Sequence, residues 1–377
     1  MKIIYFTSNL EGKDGWSRHS LGVIEYFKKK YEAVVLVSRL DPDLNIKQLQ
    51  VLREPEVYLA KPWLVLWDLL KVRKVISKLS RSSDGNIVVH FLLEPYALFL
   101  PFLKKRFKAV LTLHGTYSII PLKSIKTGFL AKKYIKLVDK IIAVSSFTRD
   151  FFIKEYPDLV PRDKFEVINN GINFSARGGP AFGWRVGQSL KTDKTKRILF
   201  VGMIKNRKGV HNLLGAVAKL RTKFKDFQVD VIGKYKENSA YFKKLKEIVR
   251  ENNLEDCVYF RGKVSGEELD RYYRRSDVLV MPSVNEGYNF EGFGIVYLEA
   301  NMFGVPVIGS INSGAEDAII DGKTGFLVDP YDHKVLAEKI LAATTSSVIS
   351  PQDCIEWARK NDWSVKNKEL GEVYKSL

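Results

Sequence analysis

Short apolar runs alternate along this chain with longer segments in which apolar residues recur at helical spacing. The runs predict buried strands, and the segments between them predict helices that pack on a sheet. In the first half the predicted strands cover 2–6, 33–38, 87–91, 109–114, 140–145 and 165–170. The second half restarts the pattern at 197–202, 227–233, 257–262, 277–283 and 306–310. Such alternation is typical of parallel sheets with helices on both faces.

The pattern breaks between 175 and 196, a stretch that is rich in glycine, lysine and serine and shows no clear period. We interpret it as a linker. A chain of 377 residues is also too long for one compact core. We therefore predict an α/β protein of two doubly wound, Rossmann-like domains that face a central cleft, the first over 1–174 and the second over 197–361. In such sheets, ligands bind at the carboxyl ends of the strands.

The composition, with 45% hydrophobic and 28% charged residues, excludes disordered and collagen-like classes. Cys257 and Cys354 are far apart and lack a CxxC partner, so we expect neither a disulfide framework nor a zinc site, and a reducing cytosol is the simplest location. The N-terminus shows no features of a secretory leader. The most apolar stretch, 91–103, contains a glutamate and two prolines and is too short to span a bilayer.

The net charge of +18 is concentrated in the first half of the chain. Residues 1–190 carry 31 Lys and Arg against 17 Asp and Glu, which gives +14, and the remainder carries 30 against 26, which gives +4. A basic N-terminal half fits an anionic partner, such as lipid headgroups, an acidic or phosphorylated acceptor, or nucleic acid. Solubility alone is the alternative explanation.

The strongest motif is EGFGIVYLE at 291–299, which follows a predicted strand. Gly292 and Gly294 remove side chains where backbone N–H groups must approach a ligand, and a helix starting near Gly294 would point its amides at that ligand. Glu291 would lie beside these amides, and Glu299 about one and a half turns into the helix. Each carboxylate could bind hydroxyl pairs of one extended ligand. In the structural alternative, Glu299 caps a neighbouring loop and Glu291 only stabilises the N-terminus of the helix.

A basic turn follows the first strand of the second half. Lys208 precedes a glycine and a predicted helix, where a diphosphate would attract a cation, and Lys205 and Arg207 are adjacent candidates. A solvated basic turn is the alternative, because runs of charge usually lie on solvated faces.

The N-terminal half offers two weaker signals. The loop after the first strand contains Gly12 and Gly15 ahead of a helix, but it lacks the spaced glycine triplet of a dinucleotide fingerprint. His114 ends a predicted strand and so lies at a carboxyl edge. It is either a functional imidazole or a structural one.

Taken together, these motifs resemble the signature of family 4 retaining glycosyltransferases of GT-B fold. The core is EGFG-x3-LEA, with a strand ending in PS before it and PVI after it. Further matches run along most of the chain at 112–114, 143–152, 167–173, 201–210, 231–234, 260–269 and 321–330. Segment 361–374 resembles the helix that crosses back in such folds, which implies that 362–377 belong to the N-terminal, acceptor-binding domain. The C-terminal domain would bind the nucleotide-sugar.

The resemblance implies a role for each matching residue. Glu299 would bind the ribose, Glu291 the transferred sugar, and Lys208 the diphosphate. The remaining implied contacts are backbone amides of Phe293, Gly294 and Ile295 with sugar and phosphate, the backbone at Val264 with the base, His114 with the donor sugar, and Gly15 with the phosphate.

Three departures from the family pattern bear on these roles. The arginine expected after the strand glycine is Met203, so a phosphate cation is missing unless Arg207 or Lys205 replaces it. A second carboxylate–glycine pair occurs at Glu286, although the spacing to Glu299 favours Glu291. A glycine pair with glutamate expected after PVI appears as Ser313, Gly314 and Asp317.

The resemblance implies retention of anomeric configuration, by front-face displacement in which the leaving phosphate helps to deprotonate the acceptor. Helix amides and Lys208 would stabilise the leaving group electrostatically. We therefore expect neither a metal nor a cofactor, with a UDP- or GDP-sugar as the donor substrate and a glycan or lipid-linked molecule as the acceptor. The sequence DPD at 41–43 has the letters of an acidic DxD metal motif. It follows a predicted strand in the N-terminal domain, and we interpret it as a turn.

Residues 61–79 predict one helix in which Trp63, Leu66, Trp67 and Leu70 accompany Lys71, Arg73, Lys74 and Lys78. Interfacial helices combine such residues, which suggests contact with an anionic membrane at the inner, cytoplasmic surface. The clusters 104–108 and 132–136 are also basic. The alternative is a helix packed on the sheet with its lysines in water.

Three alternatives remain, and one of them is a degenerate scaffold without activity, which Met203 makes conceivable. A nucleotide-sugar epimerase shares the GT-B architecture, but it would need more acidic and histidine residues in the cleft than five histidines provide. A nucleic-acid-binding protein is suggested by charge alone, without aromatic-basic readout motifs, so we expect no nucleic acid as partner.

Overall fold

The computed structural model describes residues 1–12, 14–81, 86–103, 106–174, 194–346 and 348–377, and the chain forms two compact units. Unit 1 comprises Met1–Gly171 and Trp363–Leu377, and unit 2 comprises Ile172–Asp362. The sequence pattern and the family resemblance predict domain boundaries at 174, 197 and 362. Most of the predicted linker, 175–193, lies outside the described residues, as do Lys104 and Lys105 of the predicted basic clusters.

The described part of unit 1 contains a seven-stranded sheet in the order β3-β2-β1-β4-β5-β6-β7, and every pairing is parallel. Its strands are β1 (Lys2–Phe6), β2 (Glu32–Val37), β3 (Gln48–Gln50), β4 (Ile87–Phe91), β5 (Lys108–Leu113), β6 (Lys140–Ala143) and β7 (Phe165–Val167). The helices are α1 (Gly15–Phe27), α2 (Pro55–Ala60), α3 (Leu64–Arg81), α4 (Thr116–Lys123), α5 (Gly128–Leu137), α6 (Ser146–Glu155) and α14 (Trp363–Lys375).

The described part of unit 2 contains a six-stranded parallel sheet in the order β10-β9-β8-β11-β12-β13. Its strands are β8 (Lys196–Val201), β9 (Phe227–Ile232), β10 (Val258–Gly262), β11 (Val278–Val280), β12 (Val307–Ser310) and β13 (Gly325–Val328). The helices are α7 (Val210–Arg221), α8 (Ala240–Glu251), α9 (Gly266–Arg275), α10 (Ile295–Met302), α11 (Ala315–Ala318), α12 (His333–Thr345) and α13 (Pro351–Lys360).

These sheets confirm the predicted α/β class, and all eleven predicted strands are present. β3 and β13 were not predicted. Both are short strands at sheet edges, and the QLQ sequence of β3 lacks the apolar run that marks a buried strand. By contrast, every residue of β4 is buried, because helices cover both faces of the sheet centre.

The apolar stretch 91–103 forms part of the core. It ends β4 and continues as a 3-10 helix, Glu94–Phe102, most of whose side chains are buried. Among the described residues, no helix has both the length and the apolar character needed to cross a bilayer.

Each sheet reverses its strand order at one point, between β1 and β4 in unit 1 and between β8 and β11 in unit 2. Loops that leave the carboxyl ends of two such strands turn to opposite sides and open a crevice between them. In unit 2 these loops carry the basic turn and the EGFG motif. In unit 1 the first of them carries Gly12 and Gly15.

Helix α14 is held in unit 1 by close packing and buried polar contacts. The indole of Trp363 lies against the backbone of Gly22 and Gly171, where an added Cβ would approach ring atoms within 2.2 and 2.7 Å respectively. Asn367 Nδ2 donates to the Gly22 carbonyl at 2.9 Å. Tyr374 hydroxyl and His90 Nδ1 form a buried hydrogen bond of 2.5 Å. The return of this helix to the N-terminal sheet is as the family resemblance implied.

We expect Gly22→Ala to lower the free energy of unfolding by about 1–3 kcal/mol, because the new methyl overpacks the Trp363 ring. Gly371→Ala is the matched control. It also adds a methyl inside a helix, but its nearest new contact is 3.7 Å, so it should be neutral or stabilise by up to about 1 kcal/mol. Urea unfolding followed by tryptophan fluorescence measures both. A Gly22→Ala protein as stable as the control would contradict this packing.

Candidate functional site

The reversal point of the unit 2 sheet brings together an acid and two bases. Lys208, in the turn after β8, donates through Nζ to Glu291 Oε2. Arg207 NH1 donates to the same oxygen at 3.2 Å, and Ser283 Oγ donates to it at 3.3 Å. Glu291 is only 7% exposed. The two motifs that the sequence analysis treated separately therefore form one charged cluster.

This cluster controls the ionisation of its own members. Burial alone would raise the pKa of Glu291, but the positive charges of Lys208 and Arg207 outweigh it and hold that pKa below its ordinary value. Burial lowers the pKa of Lys208, and the attraction of Glu291 opposes this change. The cluster thus keeps a carboxylate ionised where there is little water to solvate it.

The backbone around Gly292 and Gly294 is tightly fixed. Gly294 has φ +83° and is the N-cap of α10, and a Cβ there would approach the Tyr297 ring within 2.3 Å. Gly314 N donates to the Glu291 carbonyl at 2.8 Å, and a Cβ on Gly314 would lie 2.1 Å from the Gly292 oxygen. Only glycines allow these segments to pass so closely.

Helix α10 begins where the motif predicts it. It runs from Ile295, and within the described chain no side chain caps its first turn, because its N-cap is Gly294. The amides of Phe293, Gly294 and Ile295 therefore lie at the positive end of the helix, next to the Glu291 cluster. This region can attract a negatively charged group.

Glu299 lies inside the unit, only 3% exposed. Tyr273 of α9 donates its hydroxyl to Glu299 Oε2 at 3.0 Å. Tyr273 was not singled out from the sequence, because a tyrosine in an amphipathic helix looks like an ordinary core residue.

The other predicted residues of unit 2 lie around this centre. Met203, at the position of the missing arginine, is half-exposed. Of the two proposed substitutes, Arg207 contacts Glu291, whereas Lys205 is exposed. Val264 is partly exposed in the turn between β10 and α9. Glu286 lies in an exposed turn and accepts from Asn206, the residue before Arg207 in the basic turn.

His114 follows β5 in unit 1 and is held at two points. Its backbone N–H donates to Glu94 Oε1 at 2.6 Å, and its Nε2 donates to the Leu92 carbonyl at 2.7 Å. Because Nε2 carries the proton, Nδ1 is left as an acceptor. Burial lowers the pKa of His114 to about 4, so the ring is neutral near pH 7.

Two residues near His114 were missed by the sequence analysis. Glu94 is fully buried, and burial raises its pKa to about 8. His19 of α1 is 5% exposed, makes an edge contact with the His114 ring at 4.6 Å, and bonds Asn170 Oδ1 through Nδ1 at 2.8 Å. Among the described residues, Glu94 Oε2 and His19 Nε2 have no hydrogen-bond partner. The signal available in the sequence was the position of Glu94 soon after the predicted strand 87–91, at its carboxyl end.

Gly15 is the first residue of α1 and is exposed. Asp14 caps that helix through a reciprocal pair of bonds with Ser17. A Cβ on Gly15 would meet nothing within 4 Å, so packing within the chain does not require glycine here. Among the described residues, no group of three or more His, Cys, Asp or Glu side chains is arranged to hold a metal ion.

Two family models match this chain and together cover most of it. Residues 13–176 match the model described as Glycosyltransferase Family 4, and residues 186–361 match Glycosyl transferases group 1. These matches do not favour the epimerase alternative.

Curated relatives and solved structures agree with these matches. An uncharacterized glycosyltransferase of Methanocaldococcus jannaschii is 30% identical over 274 residues, which is 71% of this chain and 68% of the relative. The GDP-mannose-dependent alpha-(1-6)-phosphatidylinositol monomannoside mannosyltransferase of Mycolicibacterium smegmatis is 30% identical over 62% of each protein. The matched regions of three curated relatives span 43 to 68% of those proteins' own lengths, less than two thirds in two of them. Anabaena HepE, crystallised with UDP, has the same fold, with a TM-score of 0.78, 18% identity and 100% of both chains covered.

The buried carboxyl of Glu94 generates a pH-dependent prediction. Its folded-state pKa of about 8 lies above the ordinary 4.5, so its contribution to stability is complete below pH 4.5 and is lost as pH rises towards 8. Glu94→Gln stays neutral throughout. We expect the variant to gain stability relative to the original protein across this window, as measured by urea unfolding at several pH values. Parallel pH profiles for the two proteins would contradict a neutral Glu94.

Proposed function

Because this chain belongs to the family 4, group 1 glycosyltransferases of GT-B fold, we propose that it moves a hexose from a UDP- or GDP-sugar to a glycan or lipid-linked acceptor. We propose further that transfer retains the anomeric configuration and needs no metal. The observation that carries the proposal is the Glu291–Lys208–Arg207 cluster beside the uncapped start of α10.

This cluster fits a sugar diphosphate chemically. As the glycosidic bond of the donor breaks, negative charge grows on the leaving diphosphate, and cations and helix amides already fixed in place stabilise that charge without reorganising. Lys208 and the amides of Phe293, Gly294 and Ile295 would supply this stabilisation. They would do what a metal ion does in other enzymes, which is the reason for proposing a metal-independent reaction.

Glu291 would bind the hydroxyls of the transferred sugar. In the described structure its charge is balanced by Lys208 and Arg207. An arriving diphosphate would compete for both cations and release carboxylate oxygens to accept from sugar hydroxyls. Binding of the donor would thus exchange the two ion pairs of Glu291 for two ion pairs with the diphosphate. Glu299 would hold the ribose, with Tyr273 orienting its carboxylate.

In unit 1 we propose that His114 contacts the donor sugar and Gly15 the phosphate. A neutral His114, with Nε2 donating to Leu92, offers Nδ1 as an acceptor for a hydroxyl proton. The open space at Gly15 would let a phosphate oxygen approach the backbone at the start of α1.

The comparisons support the classes of donor and acceptor that we expect from the sequence. HepE was crystallised with UDP, and the mycobacterial relative is named for GDP-mannose, so both bases stay in the proposal. That relative is also named for a phosphatidylinositol-linked acceptor. We propose a lipid-linked or anionic glycan acceptor, handled at the cytoplasmic surface of the inner membrane.

The donor is identified by a panel of UDP- and GDP-sugars scored by thermal shift. A ligand present at about 100 times its dissociation constant stabilises a protein by about 2.7 kcal/mol, so one member of the panel should raise the melting temperature clearly. Incubation of that donor with and without acceptor glycans then separates transfer from epimerisation, which would change the donor alone. If no nucleotide sugar shifts the transition, the proposal is wrong.

The division of roles is tested by three matched carboxylate-to-amide variants. Glu299→Gln should weaken nucleotide binding, whereas Glu291→Gln should mainly lower turnover, by roughly 10²–10³ as for loss of one transition-state contact. Glu338→Gln, at an exposed position of α12, is the control and should change neither. Calorimetric titration with the nucleoside diphosphate and initial rates with the full donor give the two quantities. Equal loss of nucleotide binding in the first two variants would contradict the assignment.

A further inference from the structure

Helix α3 in unit 1 has apolar residues on two opposite faces. One stripe packs into the core and is buried, at Val65, Leu69, Val72, Ile76 and Leu79. The spacing of three and four residues is that of a single helix face. This stripe is sufficient to attach the helix to its unit.

The opposite face carries large apolar side chains that are exposed and do not pack into the core. Trp67 is 76% exposed and Leu70 is 74% exposed, and Leu66 and the preceding Trp63 are more than half exposed. Helices of globular proteins normally place charged or polar residues there. Large apolar side chains clustered on a surface usually mark a place where something binds.

A second segment adds to the same surface. Ile125, between α4 and α5, is fully exposed, and Phe129 in the first turn of α5 is 81% exposed. Lys126 Nζ donates to the carbonyl of Ala60 at 3.3 Å, just before Trp63. That bond joins two segments more than sixty residues apart in sequence, so the turn at Ile125 lies within the reach of a lysine side chain from the segment that leads to Trp63. We call Trp63, Leu66, Trp67, Leu70, Ile125 and Phe129 the apolar face.

Lysines surround the apolar face, and acidic side chains are nearly absent from both segments. Residues 121–138 contain no Asp or Glu, and residues 61–81 contain one, Asp68, which is buried and bonded to Arg53 at 2.7 Å. Within the described chain, eight exposed lysines of the two segments form no ion pair: Lys61, Lys71, Lys74, Lys78, Lys126, Lys132, Lys133 and Lys136.

We propose that the apolar face docks unit 1 onto the surface of an anionic lipid bilayer. The tryptophan side chains would enter the headgroup region, where an apolar ring with a polar N–H is stable, and the leucine, isoleucine and phenylalanine side chains would reach the boundary of the acyl chains. The surrounding lysines would lie at the level of the lipid phosphates and bind them. Neither element needs to cross the bilayer for this.

The charge pattern favours lipid over a protein partner. Lysine is depleted in protein–protein interfaces, because desolvating its ammonium group is costly and a partner must supply a matching carboxylate. A bilayer surface supplies many anionic groups whose positions adapt to the lysines. Ile125 and Phe129 also extend the apolar face beyond the helix predicted from the sequence. Membrane docking through this face does not depend on the chemistry of the donor site.

The test is flotation of the full chain with phosphatidylcholine vesicles, with or without about one third phosphatidylglycerol, at low and high salt. We expect binding to the anionic vesicles that weakens as salt rises. Trp67→Glu and Phe129→Glu should each reduce binding about tenfold or more, since each removes a large inserted side chain and adds a repelled charge.

Tyr331→Glu is the matched control, because it adds the same charge at an aromatic side chain that is 64% exposed in unit 2. It should bind vesicles like the original protein. Circular dichroism and the thermal shift with donor, measured on the same preparations, show that each variant is folded and keep a failure here separate from a failure of the proposed function.

Three outcomes would overturn the proposal. The original protein does not float with anionic vesicles at low salt, or Trp67→Glu and Phe129→Glu float as well as Tyr331→Glu. In the third, light scattering shows that the original protein is a dimer and both variants are monomers, while their binding to vesicles is unchanged. That result would assign the apolar face to a second copy of the chain.

Discussion

The buried contact of Glu291 with Lys208 and Arg207 is the interaction on which the candidate site depends. Three charged groups lie together at the reversal point of the unit 2 sheet with little exposure to water. Removing one partner of such a group leaves another charge buried and unpaired, at a cost of several kcal/mol. The cluster is therefore stable as a whole and sensitive to anything that competes for its members. A negatively charged ligand that pairs with the bases can compete in this way.

The backbone holds this cluster by contacts that only glycine permits. Gly209 has φ +72°, and a Cβ there would lie 1.8 Å from the Pro282 carbonyl oxygen, so the turn that carries Lys208 lies directly against the segment leaving β11. Gly314 does the same for the turn at Gly292. The acid and the bases thus come from two loops fixed to their neighbours through main chain, which suits a site whose groups must be in place before a ligand arrives.

Unit 1 combines a neutral buried site with a charged outer surface. His114, His19 and Glu94 are kept uncharged near pH 7 by burial, and the pKa changes of all three are in the direction that burial causes. Exposed lysines lie outside, on the two segments that form the apolar face. Neutral groups can accept or donate to a sugar hydroxyl without a large desolvation cost, while the lysines remain available to an anionic surface.

The sequence by itself determined eleven of the thirteen described strands, the two-domain organisation and the motif beside α10, because apolar periodicity and glycine spacing are local properties. It also indicated which residues follow which strand. Only the tertiary structure decided that Arg207, and not Lys205, contacts Glu291, that Glu94 accepts from the His114 backbone, and that the turn at Ile125 reaches the segment before α3. These facts depend on strand order and on contacts between segments far apart in the chain. No local pattern records them, since the same helix or turn is compatible with many partners until the sheet is assembled.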